Sequence, residues 1–302
     1  MRILHSIIPV LAFVLFFSEN YAQNYADLLN GRYYYLPQVS LKDTGQKVNF
    51  YELRFVSTIP VELKNGNMIG VKPSYDMYSL KTDNPELKDL QLHTLKLPVF
   101  LYWKFSDSKW ASYVDVSPKL NSDLENISSR HFQIGGMVLM YYEKREDFVW
   151  QFGVFYNQDT YGPFIMPLLG LYLVGENSYF EALLPAYVIY ERKLSPKIYA
   201  GFELELRGET FRLGGSEYED SFISQLGENK LTFLTEPRLF IDFYLTKHVV
   251  LYLKPGLRLF HKFEHYTEDD QRIEHSEYVQ GTLENSFYAE IGMAFRFRYD
   301  EE

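Results

Sequence analysis

Phe287-Tyr-Ala-Glu-Ile-Gly-Met-Ala-Phe-Arg-Phe-Arg-Tyr299 decides how this chain is read. Phe287, Ala289, Ile291, Met293, Phe295, Phe297 and Tyr299 take every second position, and Glu290, Gly292, Arg296 and Arg298 fall between them. Strict period-2 alternation is a β-strand with one apolar face and one wet face. Soluble strands average about 5–6 residues, whereas a strand tilted by ~45° needs about 9–11 to cross a bilayer. The segment reads as the closing strand of a membrane-spanning barrel.

The same pattern recurs upstream. Residues 48–59 set Tyr51, Leu53 and Phe55 against Glu52, Arg54 and Thr58. Residues 249–261 set Val249, Leu251, Leu253, Leu257 and Leu259 against Tyr252, Lys254, Gly256 and Arg258. Further candidates run 69–78, 95–105, 110–120, 132–143, 148–157, 164–174, 179–191, 198–211 and 231–245. Short polar turns at 64–67, 106–108, 144–147 and 246–248 contrast with longer polar stretches at 79–91, 121–130, 214–230 and 262–282. That asymmetry between two ends is the outer-membrane pattern. The expected fold is all-β: an antiparallel up-and-down transmembrane β-barrel of about twelve strands, bounded by ten and fourteen. The alternation of loop lengths breaks once, so either a strand within 157–198 is miscounted or one outward loop is short. Residues 23–47, with Tyr33-Tyr-Tyr35, read as an N-terminal arm, a lumen plug or an early strand, leaving the barrel proper at 48–299.

Arg2 and His5 precede an apolar run from Ile7 to Phe17, and Asn20-Tyr21-Ala22 supplies a loose cleavage site. Residues 1–22 therefore read as a cleaved signal peptide, too short in its apolar core for a spanning helix. Removing them deletes Arg2 and Glu19 and leaves the net charge at −10. An acidic chain lacks the basic patch that nucleic acid requires. Zero cysteines exclude disulfides and thiolate metal sites. The aromatic fraction of 18% suits the aromatic girdles of a barrel. The expected location is the cell outer membrane. Expected partners are outer-membrane lipid and the barrel assembly machinery; the oligomeric state stays open.

A soluble barrel also alternates, and a soluble periplasmic β-barrel carrier of an apolar ligand is the competing architecture. Strand length favours the membrane, and lipid would fix the register, since a midplane Lys or Arg on the lipid face costs ~2–4 kcal/mol.

Tyr21-Ala-Gln23, the proline-bearing strands at Leu97-Pro98, Met166-Pro-Leu-Leu-Gly170 and Leu184-Pro185, and the end Phe295-Arg-Phe-Arg-Tyr299 resemble an uncharacterised outer-membrane β-barrel family of Bacteroidota-type bacteria. The resemblance covers nearly the whole mature chain and implies no catalytic residues and no cofactor. Barrels of this kind generally end on an aromatic residue, and here Asp300-Glu301-Glu302 follow Tyr299.

Three motifs invite chemistry. His261-Lys-Phe-Glu264-His265 matches H-x-x-E-H, but zinc chemistry needs both histidines on one helical face, and the preceding residues keep a strand period. The acidic stretch 261–277, with Glu268, Asp269, Asp270 and Glu274, reads as a solvated loop or as a calcium site. Ser128, Ser129 and His131, and His275 with Ser276, are the sequence-local Ser–His pairs that an outer-membrane lipid hydrolase or protease would draw on; neither has a recognisable third partner. The expectation is no enzyme, no metal and no cofactor.

The wet faces hold a further constellation. Glu203, Glu205, Arg207 and Glu209 share one strand face, Glu236, Arg238 and Asp242 the next, then Lys254 and Arg258, then Glu290, Arg296 and Arg298; Glu52 and Arg54 complete a ring if the last strand meets the first. This belt faces the expected lumen. It is either the selectivity eyelet of a narrow passive channel or a paired plug that fills a structural barrel.

Overall fold

The computed structural model describes residues 25–63, 66–160, 162–218, 220–226 and 234–298. The signal peptide expected over 1–22 and Tyr299, the last residue of the expected closing strand, lie outside the described residues. The strands, in chain order, are β1 (Tyr25–Ser40), β2 (Lys47–Ser57), β3 (Ile59–Glu62), β4 (Met68–Val71), β5 (Ser74–Thr82), β6 (Leu90–Lys96) and β7 (Val99–Lys104). They continue with β8 (Trp110–Ser122), β9 (Phe132–Arg145), β10 (Phe148–Asp159), β11 (Gly162–Gly175), β12 (Ser178–Leu184), β13 (Tyr187–Ser195) and β14 (Ile198–Arg207). The last are β15 (Glu209–Arg212), β16 (Phe222–Leu226), β17 (Leu234–Tyr244), β18 (Val249–Arg258), β19 (Lys262–Tyr266), β20 (Gly281–Thr282) and β21 (Ser286–Arg298).

Seven staves of the barrel are broken in two: β2 with β3, β4 with β5, β6 with β7, β14 with β15, β16 with β17, β18 with β19 and β20 with β21. The described residues thus form fourteen staves, antiparallel to their neighbours. The sheet closes where β1 meets β21, from Tyr25↔Arg298 to Tyr35↔Ala289. The start of β1 and the end of β21 lie at the same end, as an even number of staves requires.

Fourteen exceeds the preferred twelve by two staves, and each has a physical origin. Residues 179–191 are a hairpin: β12 and β13 pair from Ser178↔Arg192 to Leu183↔Tyr187 around a turn at Pro185-Ala186. The pair Leu183↔Tyr187 encloses three residues, Leu184 to Ala186, and a three-residue turn preserves the parity of the alternation, so Leu183 and Tyr187 both face inward and no break in period marks it. The other is β1, Tyr25–Ser40, a stave within the stretch 23–47. Its Tyr33 and Tyr35 face outward at 42% and 37% exposure and Tyr34 faces inward at 2%, so aromatics on both faces hid the period. Two expected loops also carry strand: β16 lies within 214–230 and β19 within 262–282.

The outward face is apolar. Ile165, Leu239, Phe287, Ile291 and Met293 are each more than half exposed, an arrangement water penalises at ~25 cal/mol per Å² and lipid does not. The inward face changes along the axis. At the turn-poor end the outer parts of nine staves close into a narrower ring. β2, β5, β6 and β8 pair in succession, a parallel bridge Arg212↔Ser122 joins β8 to β15, and β16, β19 and β20 follow. The bridge Leu41↔Leu283 and the bond from Glu284 N–H to Ser40 O return the ring to β1. Its interior is a packed apolar core that includes Tyr34, Leu36, Phe50, Phe211, Ile223 and Phe263. Staves β9 to β13 are bypassed by this ring and belong to the wider half alone.

Candidate functional site

Inward positions on β1, β2, β14, β17, β18 and β21 bring the charged belt together across the lumen. Arg258 donates to Glu236 through Nε at 2.8 Å and lies 2.6 Å from it through Nη2. Arg207 contacts Glu52 at 2.9 Å and Glu236 at 3.4 Å. Arg238 reaches Glu203 at 2.5 Å and also pairs with Glu205, and Lys254 holds the other oxygen of Glu203 at 2.8 Å. Glu290 and Glu52 are both 3.3 Å from Arg32, and Arg54 pairs with Asp76. Cross-strand register accounts for two of these contacts directly, since Glu203 stands opposite Arg238 and Arg54 opposite Asp76.

The remaining belt members stand apart from this network, Asp242, Arg296 and Arg298 toward the end where β1 begins and β21 ends. Arg296 lies 2.5 Å from both Asp27 and Asp242, with its guanidinium 3.6 Å from the Tyr25 ring. Arg298 pairs with Glu191 and stacks 3.6 Å over Tyr199. Glu209 forms a third group with Lys96 at 2.6 Å and Lys119 at 3.1 Å, joined by Asn121 Nδ2 at 2.9 Å.

Sequence reasoning missed Arg32, Asp27, Asp76, Glu191, Lys96 and Lys119 as members of these groups. The available signal was register: once Tyr34 sits opposite Glu52, Arg32 necessarily faces Arg54. That step requires recognising β1 as a stave.

The belt divides the lumen. Its outer members abut the apolar core, with the Arg258 guanidinium 4.4 Å from the ring centres of both Tyr34 and Phe50. Its inner members Arg54, Glu205 and Arg207 line a cavity of about 620 Å³. The opposite wall of that cavity is apolar, formed by Phe100, Met137, Leu139, Phe155 and Leu168, with Tyr172 beside them. The cavity runs from Tyr25, Ser108 and Lys109, at the end of short turns, to the β12–β13 hairpin tip at Pro185 and Ala186.

The candidate chemical motifs take structural places. His261 and Glu264 flank the start of strand β19, which puts His261 and His265 about 13 Å apart by strand rise, not on one helical turn. His261 Nε2 faces Gln225 at 3.1 Å and its Nδ1 faces Arg258 at 3.3 Å. His265 Nδ1 lies 2.9 Å from Ser276 Oγ. Ser128 Oγ and its backbone N–H both meet His131 Nδ1, at 3.1 and 3.0 Å, as a cap on the short 3-10 turn Ser129–His131. Among the described residues no three metal-ligating side chains converge.

A closed antiparallel sheet of even strand number, apolar outside and charged inside, with short turns at the terminal end, defines an outer-membrane-type β-barrel. Within that class, the chain belongs to the family described as Domain of unknown function (DUF6268), whose model matches residues 63–296. No curated protein sequence matches it. Among solved structures it is similar to the COG4313 outer membrane channel from Pseudomonas putida F1, at 11% identity and a TM-score of 0.46, covering 90% of this chain and 96% of that one. It is also similar to the NanC porin, at 12% identity and a TM-score of 0.40 over 88% of this chain and 98% of that one. A third is Pseudomonas putida OprB, at 9% identity and 0.38 over 90% and 94%. Likeness this distant says nothing of cargo.

Proposed function

We propose that this chain is a passive outer-membrane barrel of a Gram-negative, Bacteroidota-type bacterium, exported by a cleaved leader and closed along its axis by its charged belt. The observation that carries this is the pairing of the belt directly beneath the apolar core: Arg258 and Glu236 are 1% and 0% exposed, with Tyr34 and Phe50 stacked on the same guanidinium. An eyelet needs charges that face a water column; these face each other and a hydrocarbon plug. The belt therefore fixes register and fills the barrel, and no catalytic role is assigned to any residue.

Planar-bilayer recording of the purified protein tests the reading. Wild type should show no ion-conducting steps, and Arg238→Ala or Arg258→Ala should introduce leak by leaving Glu203 or Glu236 short of a partner. Wild-type conductance whose ion selectivity shifts in the same variants would instead make the belt a pore lining.

A further inference from the structure

Part of the lumen wall is apolar and lies below the reach of the outer core. Barrel interiors are polar as a rule, yet β9, β10 and β11 turn Met137, Leu139, Phe155, Met166 and Leu168 into the cavity. The outer core packs against none of these five. Leu139 and Leu168 are buried by their neighbours, whereas Met137, Phe155 and Met166 are half-buried. Apolar surface that faces water costs ~25 cal/mol per Å², so this strip is stabilised by an apolar occupant.

A cation stands at the edge of the strip. Lys72 N–H bonds Pro98 O at 2.9 Å, and the next inward pair on the same two staves is Gly70↔Phe100. Lys72 and Phe100 therefore enter the cavity side by side. The Lys72 side chain is exposed to the lumen. The charged groups around it are Asp27, Arg54 and Asp115. Each is engaged elsewhere: Asp27 by Arg296 at 2.5 Å, Asp115 by Ser117 Oγ at 2.7 Å, and Arg54 by Asp76. Among the described residues Lys72 forms no ion pair.

The carboxylates of the lining leave Lys72 to a ligand. Glu209 is held by Lys96 and Lys119, and Glu205 by Arg238. Glu181 is 1% exposed and accepts from Gln151 Nε2 at 2.9 Å and Tyr187 Oη at 2.7 Å. At the short-turn end the opening carries Lys104 and Lys109, with Glu143 beside them. An anion entering there passes two lysines before it reaches the third, and low-dielectric walls focus such a field.

We propose that the cavity is a binding cup, open at the short-turn end, for a small amphipathic organic anion. Its carboxylate sits against Lys72, and its ring or chain lies on the wall of Phe100, Met137 and Phe155. The volume of about 620 Å³ falls in the ~300–1,000 Å³ range of small-molecule sites. The proposal is independent of the axial closure, since a cup binds whether or not its floor leaks ions.

Isothermal titration calorimetry of the full barrel in nonionic micelles, corrected for micelles alone, tests it with 1-naphthoate and decanoate. At least one of the two should bind saturably, one molecule per barrel. The uncharged 1-naphthalenemethanol should bind at least tenfold more weakly than the anion. Lys72→Gln should weaken anion binding at least tenfold and leave the alcohol unchanged, and Lys72→Arg should restore most of the affinity. Met137→Gln or Met166→Gln, with Lys72 intact, should weaken the anion at least fivefold. Heat-modifiable gel mobility shows that each variant is folded, and the two methionine variants stand in for one another. Saturable binding of neither anion, equal binding of the alcohol, or anion binding indifferent to Lys72→Gln overturns the cup. Acetate competing as well as the probes, or both methionine variants without effect, leaves a bare anion site and overturns the amphipathic ligand.

Discussion

Arg258 and Glu236 meet on facing inward positions of neighbouring staves at 2.8 and 2.6 Å, at the level where the charged lumen gives way to the apolar core. Both are fully desolvated, so their attraction is set against a large dehydration cost. Such a pair is costly to break from one side. Arg258→Met should destabilise the barrel by about 3 kcal/mol, near the lower end of the range for an uncompensated buried charge, because Arg207 and Arg238 remain near Glu236. The double variant Arg258→Met/Glu236→Gln should recover part of that loss. Urea midpoints in lipid vesicles measure both.

Phe50 is fully buried against Tyr34, His261 and Phe263. Phe50→Ala leaves a cavity in the outer plug and should cost about 3–5 kcal/mol. It should also admit ions where wild type does not, a change that vesicle leak assays detect. A stability loss without leak would place the axial seal in the belt alone.

Gly292 makes room for an aromatic side chain rather than for a turn. A Cβ there would stand 2.2 Å from Tyr252 Cζ, and Tyr252 Oη donates to Asn30 Oδ1 at 2.7 Å. An aromatic ring laid over a strand glycine is a recurrent register device. Gly292→Val should reduce the yield of folded barrel in the membrane severalfold, and Tyr252→Phe, which keeps the ring, should not.

How much of this was legible depended on which residues carried the period. β18 and β21 alternate cleanly, so their faces, register and charges could be read from Leu253, Lys254, Ile291 and Glu290 alone. β1 could not, because Tyr33, Tyr34 and Tyr35 are alike and only the pairing of Arg32 with Glu52 and Glu290 reveals which of them faces inward. The β12–β13 turn was invisible for a different reason, since the three residues Leu184-Pro185-Ala186 between the paired Leu183 and Tyr187 keep odd residues inward on both sides. The inward crossing of β15 left no periodic trace either: Thr210 and Phe211 are adjacent and both buried, a violation of alternation that only a tertiary contact can impose.

The extracellular-type loop 267–280 carries a pH dependence. Burial pushes the Glu277 carboxyl up, but hydrogen bonds from Ser216 Oγ at 2.7 Å and Glu217 N–H at 3.0 Å outweigh it and hold the pKa below the usual carboxylate value. A lowered folded-state pKa contributes stability that is present above the ordinary value of about 4.3 and is lost as pH falls through the lowered one. Amide exchange in residues 214–218 and 274–280 should therefore accelerate between pH 5 and pH 3 (about the interval in which carboxylates titrate), relative to the barrel strands. Glu277→Gln should abolish that difference. Exchange insensitive to both would remove Glu277 as the tie between these loops.

Gel mobility of the protein in purified outer membranes tests most directly that the apolar outer face meets lipid. Unboiled protein in that fraction should run as a compact, faster band that shifts to its full-length position on boiling. A single unshifted band, recovered in the soluble periplasmic extract without detergent, would contradict the account.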